Sequence, residues 1–145
     1  SNANWDCLGR KLSRQSWAIA PKIREVDRYM VSNTGRKLRE MHPEVAFWAL
    51  NGRRPMRFNK KKNEGFDERL LILEKHYPDS VACFENARRA FIKSQVADDD
   101  ILDALVGAVT AMQSPSLATF PARPVKDEEG LMMEMVFAAG TQEAQ

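Results

Sequence analysis

Three acids stand together at Asp98-Asp99-Asp100, and a fourth follows at Asp103. Asp is a preferred helix N-cap, and negative charge in a first turn offsets the partial positive charge of the helix dipole, so Asp98 needs no further role. Asp103 lies beyond a first turn, between Leu102 and Ala104-Leu105. On a helix, the four-residue step from Asp99 and the three-residue step from Asp100 put these carboxylates on one side with Asp103. Like charges so placed repel unless a cation sits between them, and magnesium takes carboxylate oxygens. A second constellation is Glu40-Met41-His42-Pro43-Glu44. A strand is expected to end there and a short helix to begin, and ligand sites of α/β sheets favour strand ends. Glu40 is the first candidate in it, with Glu44 and His42 secondary.

The third constellation is basic. From Arg36 to Lys62 the chain carries Arg36, Lys37, Arg39, Arg53, Arg54, Arg57, Lys60, Lys61 and Lys62 against only Glu40 and Glu44. Pro55 and Phe58 interrupt it, and interleaved aromatics suit a nucleic-acid backbone and its bases. A solvated loop would have the same composition. Cations beside an acidic cluster suit a phosphodiester: they hold the polyanion while metal ions activate water and stabilise the leaving oxygen.

These residues need elements to position them. Ile19, Ile23, Val26 and Met30 step by four, three and four, which predicts a helix from Ser13 to about Val31 with a kink or fresh start at Pro21. Ser32-Asn33-Thr34-Gly35 should stop it. Lys37 to His42 reads as a strand, ended by Pro43, and Glu44–Leu50 as a short apolar helix closed by Asn51-Gly52. A basic connection over 53–63 leads to helices at about 64–76 (Phe66, Leu70 and Leu73 inward) and 79–93 (Val81, Phe84, Ala87 and Phe91 inward). Asp98 to Met112 is the clearest helix, with Ile101, Leu105, Ala108 and Met112 along its apolar face, flanked by Leu102, Val106 and Val109. Leu117–Phe120 and Leu131–Phe137 are strand candidates joined by 121–130.

Length and composition narrow the classes. The 145 residues are 43% hydrophobic and 29% charged, which fits one globular domain with a core, spanning residues 4–145, and excludes a disordered or disulfide-built chain. Ser1-Asn2-Ala3 reads as a scar of expression. A net charge of +2 does not by itself mark a nucleic-acid binder. No apolar run approaches the roughly 20 residues that span a bilayer, so no membrane partner is expected. Cys7 and Cys83, 76 positions apart, read as reduced thiols of a cytoplasmic protein. His42 and His76 belong to no zinc-binding pattern, and no Gly-rich phosphate loop or GxSxG is present.

Four blocks resemble a bacterial family of unknown function whose members are classed as predicted RNase H-like nucleases. They are Ser13–Asp27 (SRQSWAIAPKIREVD), Glu40–Gly52 (EMHPEVAFWALNG), Asp99–Leu105 (DDILDAL), and the late pair Thr119-Phe120-Pro121 with Gly130–Met135. The resemblance implies an RNase H-like α/β fold, a mixed sheet flanked by helices. It also implies phosphodiester hydrolysis by acids gathered around two magnesium or manganese ions. Glu40 would be the strand acid, with Glu44 as its understudy. Asp100 and Asp103, with Asp99 beside them, would be the late-helix acids and further metal ligands.

Family members usually begin with a strand carrying an Asp-Gly pair and two further strands, which this sequence does not match; upstream of Ser13, Asp6 is the sole acid. The chain is therefore expected to be the C-terminal part of the domain, lacking the first strands and the bridging carboxylate. Two functions follow. One is a metal-dependent nuclease with Glu40, Asp100 and Asp103 catalytic, weak or inactive in this form, with Arg53, Arg54, Lys60, Lys61 and Lys22 gripping nucleic acid. The other is a non-catalytic module binding nucleic acid or protein. Apolar surface left by the missing strands predicts a homo-oligomer.

Overall fold

In the computed structural model the described residues are 9, 13–33 and 38–140. The expectations placed on Ser1 to Ala3, Asp6, Cys7, Gly35 and Lys37 fall outside them. The described elements are α1 (Arg14–Ser32), α2 (Pro43–Leu50), α3 (Asn63–His76), α4 (Ser80–Ala90), α5 (Asp98–Met112), β1 (Leu117–Lys126) and β2 (Met132–Ala138). This is a mixed α/β chain whose two strands form one sheet. By contacts it divides into two units, residues 1–38 with 126–132, and residues 39–125 with 133–145.

The first unit holds α1. Ser13 caps it, its hydroxyl accepting the backbone N–H of Ser16 at 2.9 Å, and the helix runs through Pro21 without a second start. Asn33 closes it, with its N–H donating to Met30 O. No residue of α1 is buried. The tip of the hairpin, in the same unit, is tied by Asp127, whose carboxylate accepts the N–H groups of Glu129 and Leu131.

The second unit is built around α5. Phe47 of α2, Leu73 of α3, and Leu102 and Val106 of α5 are fully buried, with Ala46, Leu50, Ile72, Val109 and Ala138 completing the cluster. The buried residues of α5 are Ile101, Leu102, Val106, Val109 and Thr110: Ile101 lies inward as its spacing predicts, Leu102, Val106 and Val109 move from the margin to the centre, and Met112 is exposed. The buried arc of α5 is wider than the expected stripe because α2, α3 and α4 all pack against the helix, and three neighbours cover more of it than one. Helix α4 stops at Ala90, three residues early, which leaves Phe91 exposed rather than inward. β1 runs six residues past Phe120, through Pro121 and Pro124, which a two-stranded sheet tolerates because each strand has a free edge. Trp48, Phe120 and Phe137 join α2 to the hairpin, with ring centroids 4.7–5.8 Å apart.

Residues 38–42 are not a strand. One backbone bond ties them to β2, Val136 N–H to Glu40 O at 2.7 Å, and Arg39 forks onto Glu134 at 2.7 and 2.9 Å. Pro43 then opens α2 at its first position, where a missing N–H costs nothing. The polar/apolar alternation was too short, and α2 starts too soon after it, for a ladder to form.

Candidate functional site: an acid–lysine cluster beside a basic groove

The acids of α5 do not act as one group. Asp98 pairs with Arg88 at 2.8 Å and with Lys93 at 2.9 Å, and these bonds, Lys93 first, hold its carboxyl below the usual carboxylate range. Asp100 is exposed and accepts the N–H of Ala97 at 3.0 Å, a capping role. That bond gives Asp100 a place in the cap of α5, apart from the Lys60 pair. Asp99 and Asp103, one turn apart, both face Lys60, whose Nζ lies 2.8 Å from Asp103 Oδ2 and 3.6 Å from Asp99 Oδ2. The hydrogen bond to Asp103, helped by the charges of Asp103, Asp99 and Glu44, raises the Lys60 pKa above its ordinary value. Asp103 Oδ1 is buried with no hydrogen-bond partner.

Lys60 reaches α5 because the backbone of the basic segment is anchored on α3, while Arg53, Arg54, Arg57, Lys61 and Lys62 stay exposed. Glu68 of α3 accepts the N–H groups of Arg57 and Phe58 at 3.0–3.2 Å. Arg69, only 3% exposed, donates to Phe58 O and Gly65 O. A Cβ on Gly65 would stand 2.1 Å from Asn59 O, so glycine is required there for the loop to lie on α3. Asn59 itself accepts the N–H of Lys61 through its side chain at 2.9 Å.

The same Arg69 holds Glu44 by two bonds of 2.9 Å, with its guanidinium over the Phe47 ring at 5.5 Å. Glu44, Trp48, Arg57, Lys60, Lys61 and Arg69 line an open groove of about 770 Å³ together with Pro55, Met56, Phe58 and Asn59. The structure thus brings Glu44, Lys60 and Lys61 to one groove, with Asp99 and Asp103 reached through Lys60. Arg53 instead lies over Trp48 at 5.9 Å and reaches Ala139 O at 3.5 Å. Arg54 is exposed, and its carbonyl accepts from Asn51. Glu40 and His42 are exposed in the segment before α2. Lys22 is exposed on α1, in the other unit.

Arg69, Glu68 and Gly65 were missed by sequence reasoning. Arg69 follows Phe66 by three residues and precedes Leu73 by four, so it occupies the inward stripe of α3. A cation at an apolar stripe position was the available signal, because a buried cation must find an anion.

Among the described residues no three His, Cys, Asp or Glu side chains come together as a metal-binding set. Asp99 and Asp103 are a pair, and magnesium is commonly held by one or two carboxylates plus water and substrate phosphates. The partnerless Asp103 Oδ1 gives that pair an oxygen to spare, so the residues present fit one divalent ion in place of the Lys60 ammonium.

The fold and the site define an α/β protein with a lysine-neutralised acid pair beside a basic groove. The chain belongs to the family described as protein of unknown function, DUF429, which matches residues 1–126. Three of the four resembling blocks lie wholly in the matched span and the fourth begins there with Thr119-Phe120-Pro121; Gly130–Met135 lies beyond it. No curated protein and no solved structure matches the chain significantly. No helix among the described residues is long and apolar enough to cross a membrane.

Proposed function

We propose that this chain supplies Asp99 and Asp103 to a metal-dependent, RNase H-like site for phosphodiester cleavage, and that alone it turns over little. Glu44, which lines the groove with Lys60, is the further carboxylate of this reading. The observation that carries the reading is the convergence of two carboxylates, one turn apart, on a single cation while Asp103 Oδ1 stays buried and unpartnered. An unsatisfied buried acceptor costs about 1–3 kcal/mol, a cost that ligation would remove. When bound, magnesium or manganese would be held by Asp99 and Asp103 and would supply Lewis acidity and a more acidic water. Arg57, Lys60 and Lys61 hold the phosphates of the polyanion in the groove. Arg69 fixes the Glu44 carboxylate and keeps it from swinging onto Lys60.

A second reading, a non-catalytic polyanion-binding module, is favoured by the Lys60 ammonium itself, since the acid pair is already neutralised. Calorimetric titration with manganese, together with a cleavage assay on single- and double-stranded oligonucleotides, tests both. We expect saturable metal binding that Asp103→Asn abolishes, slight cleavage, and oligonucleotide affinity that falls steeply with salt. Metal binding indifferent to Asp103→Asn would overturn the first reading in favour of the second. Oligonucleotide affinity that ignores salt would remove both.

A further inference from the structure

We propose that Lys60 is an exchangeable counter-ion, bound to Asp99 and Asp103 in the resting protein and drawn onto phosphate when a polyanion fills the groove, so that polyanion and divalent cation bind cooperatively. The inference rests on the reading of Asp99 and Asp103 as a metal-binding pair, and it adds the regulation of that pair.

Two facts about one side chain carry it. Lys60 Nζ contacts Asp103 at 2.8 Å and Asp99 at 3.6 Å, and the same residue lines the groove with Arg57 and Lys61. Its side chain remains 31% exposed, so the ammonium can reach solvent without unfolding anything. The backbone beneath it is fixed: Gly65 permits the close approach of Asn59, and Glu68 and Arg69 pin the residues just before it. The stem is anchored and the tip is free to choose between anions. A lysine tip is a compact ammonium on four rotatable carbons, which suits it to such an exchange.

The energetic logic is competition for one location. A divalent ion cannot approach Asp99 and Asp103 closely while the ammonium sits between them, because the two cations repel. A phosphate in the groove offers Lys60 another anion, and each Lys60 that moves leaves two carboxylates unneutralised. The divalent cation then gains the attraction that the ammonium gave up. By linkage, metal bound at the acids drives Lys60 outward and strengthens polyanion binding by the same factor. Without the polyanion, the lysine keeps the acids closed to stray cations.

The test measures binding rather than turnover. Manganese is titrated by electron paramagnetic resonance into the full chain with and without a short oligothymidylate, and manganese held by the oligonucleotide is subtracted using Asp103→Asn. In the wild type we expect weak binding alone and an increase of roughly fivefold or more with oligonucleotide. Lys60→Met should bind manganese about tenfold more tightly alone and show no further gain. Lys60→Arg, which keeps a cation there, should retain both the weak binding and the coupling. If manganese binding is lost in Asp103→Asn but Lys60→Met matches the wild type, the exchange is wrong and the metal pair stands. If no variant binds manganese in an Asp103-dependent way, the metal pair itself is wrong and the exchange falls with it.

Discussion

Helices α1 and α5 carry apolar stripes of similar regularity, yet they end in opposite situations. On α1, Ile19, Ile23 and Val26 are 48–60% exposed. On α5, Leu102 and Val106 are fully buried beneath α2 and α3. The difference teaches that periodicity announces a face and says nothing of what covers it. The same holds for charge. Asp98 and Asp103 lie five residues apart on one helix; the first is neutralised locally by Arg88 and Lys93, the second by a lysine 43 positions away.

Truncation should separate the two helices most sharply. Leu102→Ala opens a cavity in a fully enclosed site and should cost about 2–5 kcal/mol in chemical denaturation. Ile23→Ala, on an exposed stripe, should stay within about 0.5 kcal/mol. Equal losses would mean that the α1 stripe is as well covered as the α5 stripe.

Arg69 comes next. Arg69→Met removes the partner of Glu44 and the donor to two carbonyls, at about 1–3 kcal/mol. Hydrogen exchange at the Arg57 and Phe58 amides should quicken with it, because the loop loses one of its two anchors. An unchanged loop would show that Glu68 alone holds it.

Self-association sharpens the comparison further. We expect the chain to sediment above its monomer mass of 16.5 kDa and the Ile19→Lys/Ile23→Lys double variant to sediment at it. A monomeric wild type would leave the α1 stripe facing water.

The smallest effect is that of pH. Asp98 and Glu134 both have lowered pKa values, Asp98 through Lys93 and Arg88, Glu134 through Arg39. At a pH near 4 the unfolded chain therefore binds more protons than the folded one, and stability rises with pH. Their contribution is present above the unfolded carboxylate value of about 4 and fades as pH falls through the lowered folded values. Both pairs are partly solvated, so each should be worth less than about 1 kcal/mol. Asp98→Asn should flatten the acid limb of a Tm-against-pH curve. An unaltered limb would assign it to other carboxylates.

Four of the helices were legible before any coordinates, with boundaries close to those observed, because N-caps, Pro43 at a first turn and 3.6-residue spacing are local signals. The pairing of Asp99 with Asp103 was legible for the same reason, since a four-residue step on a helix admits one outcome. The strand expected over 37–42 is absent from its described part, because so short a run cannot report whether a neighbour is free to pair; 38–42 make one backbone bond to β2 and stop. The capping bond of Asp100 was not legible, because the sequence does not reveal which first-turn acid bends back onto the helix end. What only the tertiary structure decided is the cation. Nothing local ties Lys60 to Asp103 across 43 residues; Gly65, Glu68 and buried Arg69 fold the basic loop onto α3 and aim it at α5. Composition and periodicity fix what each residue can do within a turn or two of its own position. Charge acts through space, and the partner of a charge is settled by which segments pack.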